Sequence, residues 1–125
     1  MKPFLLLTSL FFSTIISAQQ KNFSGTWQGN VDSGVTHLKL IFHFNKNSRG
    51  AYSGTFDSPN QGVSGLDFTT VSAINDTLFA SVNVLRATYK GYWENDSTLT
   101  GKWQQGMTSF PLNMRRTGQE KTAGN

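Results

Sequence analysis

The run Phe23-Ser-Gly-Thr-Trp-Gln-Gly-Asn-Val31 decides the fold class. Phe23, Gly25, Trp27, Gly29 and Val31 alternate with Ser24, Thr26, Gln28 and Asn30. A period of two marks a strand with one apolar and one polar face. Nearly the same phrase returns as Leu99-Thr-Gly-Lys-Trp-Gln104. Between them the period recurs in Leu38, Leu40, Phe42 and Phe44, in Tyr52, Gly54 and Phe56, and in a strand expected over 67–74. It continues in Leu78, Ala80 and Val82, in Ala87, Tyr89, Gly91 and Trp93, and finally in Phe110, Leu112 and Met114. Turn-forming clusters such as Asp32-Ser-Gly34, Asn45–Gly50, Asp57–Gly65 and Glu94–Ser97 separate these runs.

No stretch after the N-terminus sustains an apolar period of 3.6. The expected fold is therefore all-β, an antiparallel up-and-down meander of about eight strands. An open sheet would leave its aromatic face uncovered, so closure into a small barrel is expected, with a two-sheet sandwich as the alternative. Glycines beside tryptophans on the inward face are expected to make room for the indoles.

The 125-residue chain is long enough for one domain. Lys2, the apolar run Phe4–Ile16 and the small residues Ser17-Ala18 read as a signal peptide over 1–18. The run is shorter than the ~20 residues that span a bilayer, so no stable membrane span is expected. The protein is thus expected to be exported, periplasmic or extracellular after cleavage near Ala18. The barrel domain is placed at 19–116, followed by a flexible tail over 117–125. There is no cysteine, which excludes disulfide staples and thiol chemistry. A formal charge of +4, with no dense basic stripe, gives no sign of a nucleic-acid partner.

No catalytic set emerges. His37 and His43 share one strand face at a separation of about 20 Å, too far for one metal ion. Ser64 lacks the Gly-x-Ser-x-Gly spacing of a hydrolase nucleophile, and Asp57 and Asp67 read as loop residues. No cofactor and no metal are expected. The inward aromatics Trp27, Tyr52, Tyr89, Trp93 and Trp103 are candidate ligand-binding residues, lining either a pocket or a filled core. The outward Ile41, Val71, Phe79 and Tyr92 are candidate partner-docking residues, should they converge.

Several of these runs, with Tyr52-Ser-Gly-Thr-Phe-Asp-Ser58, Asn60-Gln-Gly62, Tyr89-Lys-Gly91 and Pro111-Leu112, resemble a bacterial module. It is the β-rich N-terminal domain of secreted α/β-hydrolases of the serine aminopeptidase and esterase type. The resemblance spans about 22–116. It implies an exported, non-catalytic accessory domain that docks to a protein partner such as a hydrolase, because the part carrying the Ser-Asp-His machinery has no counterpart here. The Gly-x-Trp strands are also similar, over single strands, to lipocalin and avidin barrels. That likeness implies a calycin-like barrel and the alternative role, binding a small apolar ligand in its interior.

Overall fold

The computed structural model describes residues 21–118 except 33 and 36. The expected leader and most of the expected tail lie outside the described residues. Ten strands follow one another: β1 Gly25–Asp32, β2 His37–Lys46, β3 Tyr52–Ser58, β4 Val63–Asp67, β5 Thr70–Ile74, β6 Thr77–Val82, β7 Ala87–Asn95, β8 Thr98–Gln105, β9 Thr108–Pro111 and β10 Met114–Gly118. Short 3-10 turns occupy Pro59–Gln61 and Asn83–Leu85. Every pairing is antiparallel, as a meander requires.

Two breaks account for the higher strand number. β9 and β10 both pair with β8, and the chain steps between them at Leu112-Asn113. The strand expected over 67–74 begins earlier and is split into β4 and β5, so Ser64 lies on a strand rather than in a loop.

The expected closed barrel is not formed as a ladder. The sheet runs β4-β3-β2-β1-β10-β8-β7-β6-β5, and no ladder joins β4 to β5. The reason is the path of the chain: β4 runs into β5 through Phe68 and Thr69, so the two edges are successive parts of one pass. At that step Phe68 donates its N–H to the Gly54 carbonyl of β3 at 2.9 Å, and Thr69 donates to the Ser81 carbonyl of β6 at 2.7 Å. The backbone is handed from one edge strand to the other without a β4–β5 pairing.

The open ladder is nevertheless strongly curled. In a flat sheet β2 and β7 would stand about 19 Å apart, because neighbouring strands lie ~4.8 Å apart and three strands intervene. Yet the Phe42 and Tyr89 rings are 5.2 Å apart, and Phe56 of β3 meets Trp103 of β8 at 5.9 Å. The inward face has turned upon itself to bury one core, including Phe23, Trp27, Leu40, Phe42, Phe44, Phe56, Phe68, Leu78, Tyr89, Leu99, Leu112 and Met114.

The inward glycines serve a different need from the one expected. A Cβ on Gly91 or Gly101 would strike the Tyr89 ring, and one on Gly29 would strike the Asn113 carbonyl and the Leu112 and Met114 side chains. These three make room for a tyrosine and for the β9–β10 step, and Gly54 lets the chain pass the His43 carbonyl.

Residues 116–118, partly assigned to the tail, belong to β10 and pair with β1. Arg116 explains why: its guanidinium lies 4.4 Å over the Trp27 ring and 5.5 Å from the Trp93 ring, and donates to the Asn22 carbonyl at 2.6 Å. A charged residue here acts as a packing plane, which apolar periodicity does not register. Among the described residues no helix is long and apolar enough to cross a membrane.

Candidate functional site

The two ends of the curled sheet differ. One end holds the start of β1 and the turns after β2, β5 and β7. There Phe23 packs edge-on against Trp93 at 5.1 Å and against Tyr52 at 6.2 Å. Its N–H donates to the Tyr52 hydroxyl at 3.1 Å, and its carbonyl accepts from the Trp27 indole N–H at 2.9 Å. Arg116 covers the indoles. This end is plugged by its own chain.

The other end is open. A cleft of about 330 Å³ lies between the last residues of β1, the first of β2 and the turns after β3, β6 and β8. Its wall is apolar: Leu38, Leu40, Phe56, Leu85, Trp103 and Phe110, with Val31 and Val63. Its only polar lining residues among the described ones are Gln61 and Gln105. Clefts of this size and composition suit a small molecule.

The turns around the mouth are locked in place. Asn60 accepts from the Lys39 N–H at 3.1 Å, which ties the Pro59–Gln61 turn to β2. That turn ends at Gly62, whose left-handed φ of 69° no β-branched residue would tolerate. Asn83 donates to the Thr69 hydroxyl at 2.9 Å, and Gly106 donates to the Arg86 carbonyl at 3.1 Å. The same end carries Val84 and Met107, 79% and 103% exposed on their turns.

The expected ligand-binding residues separate into three groups. Only Trp103 lines the cleft. Trp27, Tyr52 and Trp93 form the plugged end. Tyr89 crosses the core, with its hydroxyl donating to the Leu112 carbonyl at 3.0 Å, and burial pushes its phenol above the ordinary tyrosine range. Trp27 and Tyr89 have their faces taken by other rings and by Arg116, and both are buried in the core.

The expected docking residues do not converge. Phe79 and Tyr92 are neighbours on β6 and β7, with the Lys90 ammonium 5.5 and 5.4 Å from their rings. Val71 packs against the core instead of facing out. Ile41 sits on β2, which the sheet order separates widely from β6 and β7.

Sequence reading missed Leu85, Phe110, Val63, Gln61 and Gln105 at the mouth. Two signals were available. Leu85 is an apolar residue in a turn, and Gln105 lies two positions beyond Trp103 on the same face of β8.

Each histidine pairs with an aspartate on an adjacent strand. His37 is 3.3 Å from Asp32, both exposed, and His43 Nε2 is 2.9 Å from Asp57. His43 Nδ1 also meets the Thr26 hydroxyl at 3.2 Å, and Asp57 accepts the Gly65 N–H at 2.7 Å. The Thr26–His43–Asp57 order has the connectivity of a hydrolytic triad. It lies on the outward face of β1, β2 and β3, where a cross-strand polar ladder fastens the β4 edge. The Gly65 bond first, then His43, holds the Asp57 carboxyl below the usual range. Among the described residues no group of three or more His, Asp or Glu is placed to hold a metal ion.

A more open, polar recess of about 460 Å³ lies outside, where the β1–β10 ladder ends beyond Gln28. Comparison of the chain with known protein families, characterised proteins and solved structures finds no match.

Proposed function

We propose that the protein binds a small apolar molecule in the cleft at its open end. The observation that carries this reading is the contrast between the ends. One is sealed by Phe23, Trp93 and Arg116, while the other leaves a cleft walled by aliphatic and aromatic side chains and held by fixed turns. Leaving Leu38, Leu85 and Phe110 half-buried at a cleft sacrifices hydrophobic burial that a ligand would recover, at roughly 25 cal/mol per Å². The reading places the protein among binding proteins, not enzymes. With the leader expected over 1–18, it would act outside the cytoplasm.

The test is titration with N-phenyl-1-naphthylamine, a neutral apolar fluorophore. Saturable single-site binding is expected, with quenching of Trp103. Phe110→Asp should abolish binding while leaving the far-ultraviolet circular dichroism unchanged. Equal binding by Phe110→Asp and the parent chain would overturn the proposal.

A further inference from the structure

The polarity of the cleft's rim restricts the ligand further, and this step rests on the binding role proposed above. Among the described residues, Gln105 and Gln61 are the only lining residues that can hydrogen-bond through their side chains, apart from the Trp103 indole N–H. That N–H is a donor only, and it donates to Gln105 Oε1 at 3.3 Å. One of the two lone pairs of the Gln105 amide oxygen is therefore engaged, and this orientation leaves its NH₂ group to donate to a ligand. Gln61 is oriented in the same sense: the buried Ser58 hydroxyl donates to Gln61 Oε1 at 2.8 Å. Two amide NH₂ groups thus stand at the edge of an apolar cleft, and no charged side chain among the described residues lines it.

We infer that the ligand is an amphiphile with an apolar tail and a neutral acceptor head, an ester or ketone carbonyl, held at the rim by the Gln105 and Gln61 amides. A head that only donates could reach no more than the remaining lone pair of each amide oxygen and would leave both NH₂ groups without a ligand partner, at a desolvation cost. An alkane would fill the cleft but leave the two NH₂ groups to water alone. The head chemistry follows from the indole of Trp103. Being unable to accept, it fixes which face of Gln105 is presented.

The experiment compares three probes of similar length on the purified protein by calorimetry and displacement of N-phenyl-1-naphthylamine: methyl nonanoate, decane and decylammonium. Methyl nonanoate should bind about ten-fold more tightly than decane, the worth of one or two neutral hydrogen bonds. Decylammonium should bind no better than decane. Gln105→Glu retains an acceptor for the Trp103 N–H but has no donor at neutral pH, so its ester preference should fall towards parity. Gln105→Leu should lose the preference for ester over decane. Equal affinity of the parent chain for ester and alkane, or an unchanged preference in both variants, overturns the inference and leaves the apolar site standing. Failure of all three probes and of the fluorophore overturns the binding role, and this inference with it.

Discussion

Arg116 shows how one side chain can join the two ends of a chain. Its guanidinium covers Trp27 and Trp93, its Nη2 reaches the Asn22 carbonyl, and its Nε is buried without a hydrogen-bond partner among the described residues. The indole face beneath partly compensates that last group. Arg116→Ala is expected to cost about 1–2 kcal/mol, with Arg116→Lys restoring little because an ammonium cannot stack as a plane; urea denaturation measures both. Tyr89→Phe should cost about 1 kcal/mol, since it leaves the Leu112 carbonyl without that donor inside the core. Asp57 gives a pH signature. Its pKa is lower folded than unfolded, so its contribution is complete above the ordinary value of 3.8 and is lost as pH falls through the folded value. Asp57→Asn should therefore lower the melting temperature at pH 7, and the gap between parent and variant should narrow below about pH 4. A gap independent of pH would contradict this account.

At the scale of elements, the strands were legible because each carries its own alternation. Leu38–Phe44 and Ala87–Trp93 need no tertiary information to be read as one-sided. What was not legible depends on contacts between distant segments. Nothing local in 67–74 says that Phe68 turns inward and passes the chain from β3 to β6, so the closing of the sheet was misjudged. Likewise Gly91 and Gly101 stand opposite each other on β7 and β8, and only the pairing reveals that both lie under the Tyr89 ring. Gly101→Ala would bring a methyl group against the Tyr89 ring and the Lys90 carbonyl. A loss of about 1–3 kcal/mol is expected from such overpacking, read by thermal denaturation. In the Gly101→Ala, Tyr89→Leu double variant the loss should be smaller than the sum of the two single losses, because the ring that clashes is gone. The mouth was illegible for a similar reason. Leu38, Leu40, Phe56, Trp103 and Phe110 carry the strand alternation, but nothing local says that they meet the turns holding Gln61 and Leu85 at one cleft.

For the whole molecule, the division into a sealed end and an open end makes stability and binding separable. The plug buries aromatic rings that hold β1, β7 and β10 together, whereas Leu85 lies half-buried at the mouth on an exposed turn. A substitution in the plug should therefore act on folding, and one at the mouth on the ligand. Trp93→Ala removes ring contacts with Phe23, Trp27 and Arg116 and should lower the melting temperature by several degrees. It should leave intact the upward shift that saturating N-phenyl-1-naphthylamine produces in the remaining folded protein. Leu85→Lys places an ammonium on the apolar wall, so its unliganded melting temperature should stay near that of the parent while the ligand-induced shift disappears. A ligand that binds only the folded state raises stability with the logarithm of its concentration over Kd, so the loss of the shift reports affinity directly. The opposite result, Trp93→Ala abolishing the shift and Leu85→Lys preserving it, would move the binding site to the plugged end and require Phe23 to leave its place between Tyr52 and Trp93.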